Sequence, residues 1–82
     1  MTEQTFIDLG FDRVIITAEE SGDPQDDHYY RKEIGEILLI TNSNEEAHNE
    51  GWWAGIFEFN DLKIKGSGDL EDLVRILTLN IE

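Results

Sequence analysis

The stretch His28-Tyr29-Tyr30-Arg31-Lys32-Glu33-Ile34-Gly35-Glu36-Ile37-Leu38-Leu39-Ile40-Thr41 decides the fold. In its first half Tyr30, Lys32 and Ile34 fall on one side of an extended chain, and Tyr29, Arg31 and Glu33 on the other. A period of two marks a strand. The long charged stems can lie along an exposed face while their heads stay in water. Gly35-Glu36 has the composition of a tight turn. Ile37–Thr41 then returns as a short apolar run, the pattern of a central strand with both faces at least partly covered. The two halves read as a hairpin.

Outward from this hairpin, Arg13-Val14-Ile15-Ile16-Thr17 is β-branched through its middle and reads as the preceding strand. Before it, Thr5–Gly10 reads as a short helix with Phe6, Leu9 and Phe11 on one side and Gly10 as its stop. On the other flank Trp52–Phe59 reads as a fourth strand, Asn60-Asp61 as a turn, and Leu62–Lys65 as a short strand or edge. The chain closes with a helix expected over about Leu70–Leu79. Leu70, Leu73, Val74 and Leu77 recur at i, i+3, i+4 and i+7, which places them on one face. Asp69 is the expected N-cap, and Glu71 and Asp72 suit the positive end of the helix dipole. Residues 19–27 and 42–51 are acidic and rich in Gly, Pro, Asn and Ser, so both read as loops. The sum is one α+β domain over residues 1–82. It has a small, mainly antiparallel sheet of four to five strands, a C-terminal amphipathic helix packed on it and a short N-terminal helix.

The chain has 19 acidic and 6 basic residues among 82, for a net charge of −13. Such a field repels nucleic acid and anionic membrane and attracts basic surfaces. An apolar content of 39%, in patterned blocks, nevertheless argues for a folded chain and against disorder. There is no cysteine, which removes disulfides and thiolate metal sites. Met1–Thr5 lacks a basic region and no signal-like apolar run follows. The longest apolar run, Ile37–Ile40, is far too short to span a bilayer. The expectation is a cytoplasmic protein with no membrane partner.

Constellations that carry chemistry are not legible. An EF-hand loop begun at Asn42 places Asn44 and Glu46 at positions 3 and 5 but Ala47 at 6 and Trp53 at 12, where Gly and Glu belong. Pro24 breaks the spacing of the other acidic loop. His28 and His48 lie outside any spaced ligand motif and read as solvent-exposed residues beside carboxylates. Gly66-Ser67-Gly68 lacks the Lys of a phosphate loop. No cofactor, no metal site and no catalytic residue is assigned. A small hydrolase or metal-dependent enzyme is the least favoured reading.

Two features point to protein interaction. The acids of the two loops, Glu19, Glu20, Asp23, Asp26 and Asp27 with Glu45, Glu46 and Glu50, belong to connections that leave the same end of a meander, so one rim can hold all of them. Trp52-Trp53 is the second. Neighbours on a strand face opposite ways, so one Trp is core and one lies on the outer face, where Trp is enriched at interface hot spots. Trp53 is expected beneath the C-terminal helix and Trp52 on the other face beneath the N-terminal segment, with Trp52 as the interaction candidate.

The Asp8-Leu9-Gly10-Phe11 start, the Tyr29-Tyr30-Arg31-Lys32 strand, the Trp-containing strand and the closing Asp69–Leu77 helix resemble small uncharacterised proteins encoded by phages and mobile elements. The resemblance implies a phage or prophage accessory protein and transfers no functional residue. The sequence therefore reads as a non-enzymatic, acidic protein-interaction module whose partner is a basic protein surface, with no direct contact to nucleic acid. An inhibitor of a basic partner, either a DNA mimic or an immunity-type protein, is the alternative. Oligomeric state is left open.

Overall fold

The computed structural model describes residues 1–22, 24–59 and 61–80, apart from the side chain of Ser21. Four strands form one antiparallel sheet in the order β1-β2-β3-β4: β1 Asp12–Ile16, β2 Asp27–Ile34, β3 Ile37–Thr41 and β4 Ala54–Ile56. The helices are α1 Glu3–Asp8, α2 Ala18–Ser21, α3 Asn44–Glu50 and α4 Ser67–Leu79. This is the α+β class expected from the sequence, a small antiparallel sheet with a short N-terminal helix and a longer C-terminal one.

The hairpin forms as its periodicity predicts. Ile34 pairs with Ile37 across the two-residue turn. Gly35 takes a φ of 61°, and no residue other than glycine has a positive φ among the described residues. Glycine at the first central position is what a II′ turn needs to match the twist of the strands. Register then sorts the side chains. Tyr30, Ile34, Leu39 and Ala54 are buried on one face, joined by Phe6 of α1, Phe11, and Leu70 and Val74 of α4. Leu73 and Leu77 pack against this core, so the α4 stripe is the one the spacing predicted. Leu39 and Leu70 are fully buried, each worth about 1.5–3 kcal/mol relative to an exposed side chain.

Four local expectations are corrected. The segments read as acidic loops each contain a helix. α2 follows Thr17, whose side chain accepts from the Glu20 N–H, and α3 follows Ser43, whose side chain accepts from the Glu46 N–H. Both obey the Ser/Thr-x-x-Glu capping pattern, a start signal that the surrounding Gly, Pro and Asn obscure. The strand expected over Trp52–Phe59 shrinks to Ala54–Ile56, because the Phe59 N–H turns back to the Ile56 carbonyl at 2.8 Å. Leu62–Lys65 contributes a single antiparallel bridge, Ile64 to Ala54. α4 is capped by Gly66, which leaves Asp69 in its first turn.

Trp52 lies beneath the N-terminal helix as expected but on the core face, and Trp53, expected beneath the C-terminal helix, is the outward one. α1 and α4 both send their buried side chains to the same core. Trp52 packs against that core, with its ring centroid 5.5 Å from Phe6 and 5.8 Å from Tyr30. Trp53 points the other way, with Lys63 Nζ 5.0 Å above its ring and its Nε1 donating to Glu50 Oε1 at 2.8 Å. Among the described residues, the helices that bury side chains in the core, α1 and α4, do so on one face of the sheet.

Candidate functional site

The two acidic connections meet at one end of the sheet, as a meander requires. The β1–β2 connection carries α2 and the β3–β4 connection carries α3. Asp27, at the start of β2, is 8% exposed. Its Oδ1 accepts from the backbone N–H of His28 at 3.0 Å and of Glu45 at 3.2 Å. Asn44 Oδ1 accepts the same His28 N–H at 2.8 Å. These bonds tie the first turn of α3 to β2. Asp26 does similar work for α2, its Oδ1 accepting from the Ala18 N–H at 2.7 Å. A carboxylate at a helix N-terminus satisfies an orphan N–H and faces the positive end of the dipole.

The acids at this end thus divide by role. Asp26 and Asp27 hold backbone in place, and Glu50 holds the Trp53 indole. The Ser43 hydroxyl donates to Glu46 Oε1 at 3.4 Å. Glu19 and Glu20 are exposed in the first turn of α2, and their carboxylates bond to nothing among the described residues. Glu45 is exposed in the first turn of α3. Asp23 lies outside the described residues. Between the two connections runs a groove of about 490 Å³ lined by Pro24, Asp26, Asn44, Glu45, His48 and Asn49.

The other candidate, Trp52, is half-buried within a cluster of aromatic side chains. His28 stands in that cluster too. Its side chain is 16% exposed, against the exposed position expected from sequence, whereas His48 is exposed. His28 Nε2 is paired with Glu3 Oε1, and the same oxygen accepts from the Tyr30 hydroxyl at 3.1 Å. The hydrogen bond from His28 holds the Glu3 carboxyl below its ordinary range. Burial, and then the bond to Glu3, push the Tyr30 phenol upward. Glu3 lies in an N-terminal segment with no signal of its own, so the contact emerges only once α1 sits over β2. It fastens that helix to the sheet.

Asn42 is the polar pivot of this end. It is buried, its Oδ1 accepts from the Trp53 N–H at 3.1 Å and its Nδ2 donates to the Gly51 carbonyl at 2.9 Å. Thr41 Oγ1 accepts from the Tyr30 N–H and donates to the Asn42 carbonyl, both at 2.9 Å. Together they close the α3 excursion with the buried polar groups satisfied. Neither residue carries a sequence signal beyond its place after an apolar run.

Among the described residues no group of three or more His, Asp or Glu is placed to hold a metal ion, and no helix is long and apolar enough to cross a membrane. No protein family model, curated protein or solved structure matches the chain.

Proposed function

We propose that this chain is a non-enzymatic, acidic protein-interaction domain that engages a basic protein surface through the α2–α3 end of its sheet. The observation that carries the reading is the convergence of two acidic helix starts, Glu19-Glu20 and Glu45-Glu46, at one end of a domain of net charge −13. Negative potential gathered on one rim speeds encounter with a basic partner and rejects acidic ones. The same field argues against nucleic acid as a direct ligand. The proposed setting is the cytoplasm, in the accessory-protein role that the sequence resemblance implies.

The test is capture of partners from a cell lysate at low and then raised salt, repeated with the triple variant Glu19→Gln, Glu20→Gln, Glu46→Gln. The expected result is a basic protein retained at low salt and released at high salt. It should bind the variant about tenfold more weakly, or ~1.4 kcal/mol. Absence of any retained basic protein, or binding indifferent to the three substitutions, overturns the reading.

A further inference from the structure

The sheet has a second face that its own helices leave open. Register places Val14 opposite Tyr29, Arg31 opposite Ile40 and Glu33 opposite Leu38. The Phe57 N–H bonds the Leu38 carbonyl at 2.9 Å, which extends the same row past the end of β4. Val14, Ile16, Tyr29, Leu38, Ile40 and Phe57 therefore share one side. None of the six belongs to the core or packs against it. The buried side chains of α1 and α4 all go to the opposite side. A depression of about 270 Å³ runs between Ile16, Tyr29, Leu38, Ile40 and Phe57, and Phe57 is 60% exposed. Phe57 is exposed and the other five are half-buried, so the strip is only partly covered. Apolar surface left open and rimmed by polar residues marks an interaction site in a folded chain.

The charges around the strip select its occupant. Asp12 and Glu33 stand on this face towards the hairpin turn, and Glu46 lines the depression at the opposite end. Cations also lie on this side: Arg31, paired with Glu33, and Lys63, over the outward Trp53 ring. The apolar strip is thus bracketed by acids whose charge Arg31 and Lys63 offset only in part. A second copy of the chain would bring another −13 to the contact, and an anionic lipid or nucleic acid would be repelled in the same way.

We infer that this face is a docking surface for a partner protein segment in which apolar side chains are flanked by lysine or arginine. The inference rests on the reading of the chain as an acidic interaction domain. It adds that the acidic end steers the partner and the open face anchors it. Glu46 belongs to both surfaces and makes them continuous.

The experiment selects peptides from a random library on the immobilised full chain and maps the enriched peptides by amide shifts of the isotope-labelled protein. Enriched sequences should combine apolar or aromatic residues with flanking Lys or Arg. They should shift Tyr29, Leu38, Ile40 and Phe57, and bind Phe57→Lys and Ile40→Lys at least about tenfold more weakly. Phe57 is exposed, so its variant tests the surface even where Ile40→Lys fails to fold. Uniformly basic peptides that shift α2 and α3 alone would overturn the open-face inference and leave the acidic-end reading standing. Peptides without basic residues, or no enrichment, would overturn both. Shifts of the open face that depend on protein concentration without peptide would assign it to a second copy and overturn the inference.

Discussion

Asp27 and Glu45 join the two acidic segments through one hydrogen bond, the carboxylate of the first accepting the backbone N–H of the second at 3.2 Å. Eighteen positions apart in sequence, they make the acidic end a single built feature. The carboxylate is buried and serves two N–H groups at once. Its removal takes that acceptor from the Glu45 N–H, while the His28 N–H keeps Asn44 Oδ1. Asp27→Ala is expected to cost about 1–3 kcal/mol in urea denaturation. Hydrogen-exchange protection should fall first in α3. Asp27→Asn keeps an acceptor oxygen and should lose less. Equal stability for wild type and Asp27→Ala would show that the bond holds nothing.

Charge sets the response to salt. The domain carries −13, and its acids repel one another in the folded state more than in the expanded one. Screening relieves this. The melting temperature should rise between low and moderate salt by about 4–8 °C, the equivalent of ~1 kcal/mol for a domain of this size. A melting temperature unmoved by salt would mean that the acids are already balanced within the fold.

The Glu3–His28–Tyr30 contact predicts both ends of the pH profile. The Glu3 carboxyl is held below its ordinary 4.5 in the folded chain, first by its hydrogen bond to His28. A depressed carboxyl contributes stability that is present above the unfolded value and lost as pH falls through the folded one. The Tyr30 phenol is raised above 10.0, first by burial. Its contribution is present below the unfolded value and lost as pH rises through the folded one. Stability should therefore fall below about pH 4.5 and again above about pH 10. Glu3→Gln should flatten the acid limb and loosen α1, seen as faster exchange of the Phe6 amide. An acid limb unchanged in Glu3→Gln would assign it to other carboxylates.

Gly55 is needed for space. A Cβ built there would lie 2.4 Å from the backbone carbonyl oxygen of Leu62, which folds over β4. Backbone cannot rotate away as a side chain tip can. Gly55→Ala should cost about 1–3 kcal/mol by overpacking and should perturb the Ala54–Ile64 bridge beside it. Wild-type stability in this variant would show that the Leu62 backbone gives way.

Much of the architecture was legible because its signals are local. Gly35-Glu36 and the alternation from His28 to Ile34 specify a hairpin without reference to the rest of the chain, and the Leu70–Leu77 spacing specifies one helix face. The helices α2 and α3 were legible in principle through Thr17 with Glu20 and Ser43 with Glu46. Each is short and set among turn formers, so composition outweighed the capping signal. The convergence of the acidic connections was readable too, since consecutive hairpins alternate ends. What became of those acids was not. Asp26, Asp27 and Glu50 look like Glu19 and Glu20 in sequence, yet they bond to backbone or indole groups that only folding brings within reach.

The sequence by itself determined the class, the hairpin, the closing helix and the sign of the field, each a property of near neighbours or of summed charge. The tertiary structure decided which face of the sheet receives the helices. A period of two separates the side chains into two sets, but both sets here contain apolar residues. Tyr30, Ile34 and Leu39 became core and Tyr29, Leu38 and Ile40 stayed half-buried outside it because α1 and α4 arrived on the same side. That choice also sent Trp52 inward and Trp53 outward. It depends on a core that gathers residues as distant in sequence as Phe6 and Leu70, which no local pattern encodes.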